Sequence, residues 1–279
     1  MSPTTAPAPT TRPSLGWFRR TLRLTRAEFT LFVRYKTAWL FLAMPLVFLF
    51  VTLQMPDDEV LDGVGYAELS VAGVLGTIGV LVGIGHASNV FTARRESLVL
   101  KRLRVSGVPP LVIFGATTAI IVFFSLVVAA VMVGLIAVLL GELPRDPLML
   151  ALAVVLSAVS MTMVGLLLTP FVRNAEGAQM VSVLPMMVLL LMGGVFFPLD
   201  LLPDTVRQVV ELLPVAPAAQ LAQAAYTGYD VFGGYQGAGT PGYLGLWAAA
   251  LPSLLVLLAW TLALALAVER RFRWDPRQP

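Results

Sequence analysis

The chain has 279 residues, of which 58% are hydrophobic and 13% are charged, and its formal net charge is +3. A globular domain carries about 25% charged residues, so this composition excludes a water-soluble protein built around one buried core. The chain has no cysteine and a single histidine, which excludes disulfide bonds, cysteine-based metal sites and histidine-cluster metal centres.

Two segments precede the first long apolar run. Residues 1–14 (MSPTTAPAPTTRPS) are expected to form a disordered cytoplasmic tail and not a signal peptide, because no apolar core with a small-residue cleavage site follows them. Residues 15–36 predict an amphipathic helix, which is either a simple membrane anchor or an elbow helix that contacts a cytoplasmic partner. Its apolar face includes Phe18 and Phe29, and its basic face includes Arg19, Arg23 and Arg26.

Six windows of the chain are apolar enough to cross a bilayer, whose core needs about 20 apolar residues in helical form. None of these windows contains Asp, Glu, Lys or Arg. We therefore predict an all-α membrane protein with six transmembrane helices within residues 37–268, followed by a basic cytoplasmic tail at residues 269–279. The predicted spans are Thr37–Leu53, Leu69–Val90, Leu111–Leu140, Leu148–Leu168, Ala178–Phe197 and Leu244–Val268.

The loops between these spans differ in charge. With the N-terminus inside, seventeen of the nineteen Lys and Arg residues fall on the inner side, and only Arg145 and Arg207 fall outside. Cytoplasmic loops of membrane proteins carry an excess of Lys and Arg. The sequence therefore predicts a multi-pass protein with both termini in the cytoplasm.

The loop after the second span is densely basic, with five basic residues in the eleven-residue stretch RRESLVLKRLR. The segment Thr92–Val105 predicts a short helix on which Glu96, Leu100 and Leu103 share one face. Charge alone would suffice to anchor the loop in the cytoplasm, but apolar residues at this spacing indicate burial against another surface. Residues 106–110 (SGVPP) are expected to end the helix.

Small and polar residues occur within the second span. Gly79 and Gly83 form a G-x-x-x-G pattern, which permits the close approach of another helix. That helix belongs either to the same subunit or to a second copy. His86 and Asn89 lie near the cytoplasmic end of the span, where a structural role is favoured over a functional one.

The basic loop resembles the corresponding loop in the membrane subunits of type-2 ABC exporters, which are permeases for drugs, antibiotics, polysaccharides and lipids. In that family the loop carries a pattern like E-x-G-T-L-x-x-L-x-x-(S/T)-P. This sequence departs from it at Leu98 and Val99, where the family usually has Gly-Thr, and offers Glu96, Leu100, Leu103, Ser106 and, nearby, Pro109. The resemblance implies that the loop is a coupling helix in a cleft of the ATPase subunit, with contacts from Arg94, Arg95, Glu96, Leu100, Lys101 and Leu103.

A second stretch, GGVFFPLDLLP at residues 193–203, is similar to the extracellular re-entrant region of the same family. Proline breaks helices, and irregular backbone at membrane depth is tolerated only where protein buries it or where it lines a water-filled cavity. The resemblance implies short helices that dip into the outer leaflet between spans five and six. The residues that mark this motif are Gly194, Phe197, Pro198, Pro203 and Pro214.

The chain has no phosphate-binding pattern G-x-x-x-x-G-K-[ST], because its only lysines, Lys36 and Lys101, follow Tyr35 and Leu100. The resemblance implies that a separate ATPase subunit, present in two copies, binds ATP and Mg²⁺, and that a second permease subunit completes a homodimer. The expected function is export of a hydrophobic or amphipathic small molecule, such as a drug or antibiotic, across the bacterial cytoplasmic membrane.

Other functions stay open as alternatives. Export of a lipid-linked or polysaccharide substrate would fit the same family. An ion-coupled secondary transporter is less favoured, because such carriers usually place carboxylates at mid-membrane and the predicted spans contain none. An intramembrane enzyme is disfavoured because the chain lacks cysteine, lacks carboxylates in its spans and has one histidine close to an interface.

Overall fold

The computed structural model describes residues 15–34, 36–54, 58–196, 199, 202–272 and 274. Side-chain positions are described from residue 25 onward, except at residues 37 and 204. The predicted disordered tail at residues 1–14 lies outside the described residues, as do Phe197, Pro198 and most of the predicted tail beyond residue 272.

The described residues are mostly helical. Two helices come first, and a short antiparallel hairpin, β1 (Glu59–Leu61) with β2 (Val64–Gly65), leads from them into the rest of the bundle. The helices are α1 (Leu15–Arg34), α2 (Lys36–Thr52), α3 (Tyr66–Gly79), α4 (Gly85–Glu96), α5 (Val99–Val105), α6 (Pro110–Leu140), α7 (Pro147–Leu168), α8 (Ala175–Leu191), α9 (Asp204–Glu211), α10 (Val215–Thr227) and α11 (Gly242–Arg271). A π-helical turn, Val80–Ile84, joins α3 to α4 into one continuous rod, and a 3₁₀ turn, Thr169–Phe171, extends α7.

Four helical segments of the described chain are long and apolar enough to cross a membrane, namely Tyr66–Glu96, Pro110–Leu140, Pro147–Phe171 and Gly242–Arg271. The end of α1 and the body of α2 meet at a bend of 71° and would count as a fifth span if taken together. The predicted all-helical membrane fold is therefore confirmed. The described residues contain four candidate spans, or five with the bent pair, and not the six that the sequence predicted.

The predicted fifth span, Ala178–Phe197, is shorter in the structure. Helix α8 has 17 residues and ends at Leu191. Gly194 then adopts φ +69, a left-handed conformation that glycine reaches without the Cβ clash of other residues. The hydropathy pattern did not locate this turn, because the residues on both sides of it are apolar.

Helix α10 is fully buried inside the bundle, between α3, α7 and α11. Trp247 of α11 donates to the Asp146 carboxylate at 2.7 Å, and the Asp146 amide donates to the Ala225 carbonyl at 2.8 Å. Thirteen residues further along α11, Trp260 donates to the Leu212 carbonyl at 2.6 Å. At 1.5 Å per residue these two tryptophans lie about 20 Å apart along the helix axis. Leu212, just before α10, therefore lies about 20 Å deeper in the bundle than Asp146, which stands at the start of α7.

The far end of α10 is fastened to the loop between α6 and α7. Tyr226 donates its phenolic O–H to the Glu142 carbonyl at 3.0 Å, and Asp146 caps α7 by accepting from the Leu148 amide at 3.1 Å. Burial, with the nearby carboxylates of Glu68 and Glu142, raises the pKa of Tyr226. The phenol therefore stays protonated and remains a donor across the physiological pH range.

Glycines in α3 and in the π-helical turn allow the backbones of two neighbouring helices to come close to the backbone of this rod. A Cβ atom at Gly76 would overlap the backbone of Ala218 in α10, and one at Gly79 would overlap the backbone of Ser157 in α7. A Cβ at Gly83 would come within 3.0 Å of a backbone amide of the same helix α7. The G-x-x-x-G pattern therefore packs within the subunit, which answers the question that the sequence left open.

We predict that Gly79→Ala destabilises the protein by about 1–3 kcal/mol, because the added methyl group meets backbone atoms that cannot move aside. Gly134→Ala in α6 is the matched control, since nothing lies within 4 Å of its Cβ position. Removing that helix-interior glycine should leave stability unchanged or raise it by about 0.5–1 kcal/mol. Thermal unfolding in detergent measures both changes, and equal midpoints for the two variants would contradict the packing.

Candidate functional site

The helix predicted over Thr92–Val105 is in fact two helices. Helix α4 ends at Glu96, and α5 begins at Val99 after Leu98, whose φ of +61 and ψ of +12 are left-handed. Leu98 is the only residue other than glycine with positive φ in the described part of the chain. We call the segment from Glu96 to Val99 the α4–α5 junction. The helix is interrupted there, and Glu96 is exposed while Leu100 is buried, so the two residues do not share one face as the sequence predicted.

Leu100 holds α5 against the bundle. Its side chain is fully buried, and Leu103 packs beside it half-buried. The opposite side of α5 is exposed at Lys101 and Arg102, and Val105 at its end is 82% exposed. The apolar face of α5 therefore contacts the chain's own helices. The residues around Leu100 come from α4, α6, α7, α11 and the segment after α11, and include Phe91, Ile113, Phe114, Leu166, Val268 and Phe272.

Arg95 is a buried cation at the end of α4, with 1% of its surface exposed. Its Nη1 donates to the Thr169 carbonyl at 2.6 Å, and its Nη2 donates to the Val172 carbonyl. These carbonyls follow the end of α7, where helix carbonyls lack partners and the helix dipole favours a positive charge. Arg95 and Leu100 are thus enclosed by this chain, and neither side chain is exposed to a partner in this arrangement.

Arg94 connects α4 to the first helix. Its Nη2 forms an ion pair with Glu28 of α1, and its Nη1 donates to the Thr117 hydroxyl of α6 at 3.3 Å. The guanidinium also lies over the Phe91 ring at 5.6 Å. Glu28 is 6% exposed and was not singled out from the sequence. It is the only acidic residue in α1. A single acidic residue in an otherwise basic helix is the sequence signal that could have identified it as a contact residue.

The predicted elbow helix packs its second half on the bundle. Phe32 stacks on Phe124 of α6 at 4.2 Å and lies 4.3 Å from the His86 ring, and Phe29 stacks on Phe124 at 5.5 Å. Arg26, on the predicted basic face, is exposed. The side chains of Phe18, Arg19 and Arg23 lie outside the described residues. The apolar face of α1 therefore contacts protein for at least its last turns.

Two further contacts join α4 to α8. The Asn89 amide donates to the Ala175 carbonyl at 3.1 Å, and the Ser88 and Ser182 hydroxyls share a hydrogen bond. The structural role favoured for Asn89 from the sequence agrees with this contact. Together with Arg94 and Arg95, these residues bond the end of α4 to α1, α6, α7 and α8. A displacement of α5 would therefore move the ends of several helices together.

The prolines of the second predicted motif stand at helix starts. Pro203 directly precedes α9, and Pro214 directly precedes α10. Gly194 has the Leu199 side chain against its Cα, which leaves no space for a Cβ. The structure thus shows two short helices in this region, α9 and α10. Within the described residues, no cluster of His, Asp or Glu side chains is arranged to hold a metal ion.

The sequence was compared with known proteins. A family model described as ABC-2 type transporter matches residues 18–226, which is about three quarters of the chain. The match begins within α1, includes the α4–α5 junction and ends within α10. The search of the curated proteins found no significant match.

We predict that Leu98→Gly stabilises the protein, because a leucine in the left-handed region costs about 1–2 kcal/mol that glycine avoids. Part of this gain is offset by the greater freedom of glycine in the unfolded chain, which leaves about 0.5–1 kcal/mol. The control is the neighbouring Ser97→Gly, since Ser97 has φ −81 and donates to the Ala93 carbonyl at 2.8 Å. Unfolding midpoints that fall equally in both variants would argue against strain at Leu98.

Proposed function

The chain belongs to the ABC-2 type transporter family, and from this we propose that it is the membrane-spanning permease subunit of an ATP-driven exporter. A separate ATPase subunit, in two copies, binds ATP and Mg²⁺, and two copies of this chain form the membrane part. The observation that carries the proposal is the arrangement on the two sides of the α4–α5 junction. Helix α5 has an exposed basic face, while the buried residues Arg95 and Leu100 contact the ends of several other helices.

The proposed arrangement in the membrane has six spans, with both termini in the cytoplasm. The bent pair of α1 and α2 enters the membrane, and α8 with the glycine turn after it forms the fifth span. Helices α9 and α10 re-enter from the outer side, which the hydrogen bond from Trp260 to Leu212 supports. The excess of Lys and Arg in the loops on that side supports a cytoplasmic position for the end that carries α5.

The left-handed backbone at Leu98 supports the assignment of α5 as the coupling helix. The type-2 exporter pattern has glycine at this position, and φ +61 is a conformation that glycine adopts readily. A glycine would adopt this backbone without strain, so the conformation at Leu98 fits the glycine of the pattern although the residue differs.

In the proposed mechanism, surface and buried residues of this region have separate roles. Glu96, Lys101 and the exposed edge of Leu103 contact the ATPase subunit. Arg95 and Leu100 do not reach the partner and instead transmit its movement to α7 and to the cluster of span ends. Arg94 does the same for α1 through Glu28, so that the predicted elbow helix follows the coupling helix.

The proposed cargo is a hydrophobic or amphipathic small molecule, such as a drug or antibiotic. The absence of charged residues from the predicted spans supports this substrate class, because a charged or strongly polar cargo would need partners along its path. The same absence speaks against a carrier driven by protons or sodium, which needs titratable or cation-binding groups at mid-membrane.

We predict that Lys101→Gln with Arg102→Gln weakens co-purification of the chain with its ATPase subunit by about tenfold or more, because two exposed cations leave the contact surface. The control is Arg34→Gln with Lys36→Gln, which removes the same charge from exposed positions at the α1–α2 bend. If both pairs of substitutions reduce the complex equally, the effect reports net charge and the assignment of α5 fails.

We also predict that inverted vesicles containing the chain and its ATPase accumulate a lipophilic dye when ATP is added. Accumulation should persist when a protonophore collapses the proton gradient and should stop when the catalytic glutamate of the ATPase subunit is replaced. Uptake that needs the proton gradient and ignores the ATPase would instead indicate a secondary transporter.

A further inference from the structure

An open groove of about 900 Å³ lies between the end of α7 and the end of α11. One wall is formed by Leu167 and Phe171, and the Phe171 ring is 70% exposed. The other wall is formed by α11, which is the least buried of the four long apolar helices. Two arginines, Arg270 and Arg271, stand at its mouth.

The α11 wall of this groove changes from apolar to cationic along its length. Ala263, Leu266 and Arg270 follow each other at helical spacing and all line the groove. Ala263 and Leu266 are exposed, so nothing in the described chain covers this stripe. Ala263 lies about 10 Å from Arg270 along the axis, which is comparable to the first part of an acyl chain below its headgroup.

Both guanidinium groups are exposed, and neither forms an ion pair with a carboxylate among the described residues. They occupy the last turn of α11, where the carbonyl end of the helix holds cations favourably. Two adjacent guanidinium groups can each donate paired hydrogen bonds to phosphate oxygens. The mouth of the groove therefore suits a phosphate.

A second groove on another side of α11 provides a contrast within the same molecule. It is lined by apolar residues such as Phe114, Val122 and Met163, and the charged residue in its lining is Glu269. A carboxylate there repels a phosphate, whereas two arginines attract one. The charges therefore favour phosphate binding in the α7–α11 groove over the second groove beside α11.

We propose that the α7–α11 groove is a binding site for an anionic phospholipid of the inner leaflet. Its phosphate meets Arg270 and Arg271, and one acyl chain follows Leu266 and Ala263 with the Phe171 ring beside it. Basic pockets between helices on the cytoplasmic side are suited to such headgroups. The assignment to the inner leaflet rests on the proposed orientation of the permease, while the lipid site itself rests on the groove.

The test is native mass spectrometry of the purified full-length chain in detergent, with phosphatidylglycerol or phosphatidylcholine of matched acyl chains. The wild type should retain phosphatidylglycerol in preference. Arg270→Gln with Arg271→Gln should weaken that retention about thirtyfold, since each basic residue contributes about fivefold near a membrane surface. Lys101→Gln with Arg102→Gln removes equal charge elsewhere and should retain the lipid like the wild type.

A second variant, Ala263→Trp, fills the apolar part of the groove without changing charge and should also reduce phosphatidylglycerol retention. Leu255→Trp, at an exposed position of α11 outside the groove, is its control. Equal retention of the two lipids by the wild type, or equal losses in variant and control, would overturn the site. A dimer mass that depends on Arg270 and Arg271 without any lipid adduct would assign the groove to a second copy and would also overturn it.

These measurements use the chain without its ATPase, so they do not depend on the proposed transport function. If the chain binds phosphatidylglycerol in the groove but never associates with an ATPase, only the proposed function fails. If it assembles and transports but the arginine variant keeps its lipid, only the lipid site fails.

Discussion

The fold depends on the close approach of the α7 and α10 backbones to the glycine face of α3 and the π-helical turn that follows it. The rod from Tyr66 to Glu96 is 89% buried over its apolar window, yet no charged side chain in that window holds it. In an apolar environment helices gain little from hydrophobic burial, so association rests on van der Waals packing between surfaces that can come close. Gly76 and Gly79 supply such surfaces on two sides, and they place α10 inside the bundle.

This central packing joins the end of α4 rigidly to the rest of the bundle. The rod cannot slide against α7 or α10 without backbone overlap, so under the proposed mechanism a force applied at the α4–α5 junction would be carried into the bundle. The buried polar contacts of Arg95, Asn89 and Arg94 then determine which neighbours follow. A buried cation bonded to carbonyls is costly to separate from them, because both partners would be left unpaired in a medium of low polarity.

Much of this could be predicted from the sequence, and the limits have physical causes. Hydropathy located the long apolar helices, and the basic loops indicated an orientation, because both signals depend on composition. The spacing of Leu100 and Leu103 correctly predicted an apolar face that is buried, but not what covers it, which proved to be the chain's own span ends. The break at Leu98 was hidden because leucine is a good helix former and its left-handed backbone is imposed by tertiary packing. The pairing of Glu28 with Arg94 joins residues 66 positions apart, and no local pattern encodes it.

The inward direction of the α5 apolar face limits how a partner can recognise this helix. With Leu100 buried, the surface that this region would offer to the proposed ATPase subunit has a charged part and an apolar part. The charged part consists of Glu96, Lys101, Arg102 and Arg104, and the apolar part consists of Leu98 and Val105 beside the half-buried Leu103. Such a surface gives specificity through charge complementarity and less through buried area. The partner cleft would then need acidic groups facing Lys101 and Arg102 and a small apolar pocket for Val105. Because α5 is also fixed by Leu100, it would enter that cleft in a set orientation, and the ordering cost of binding would be small.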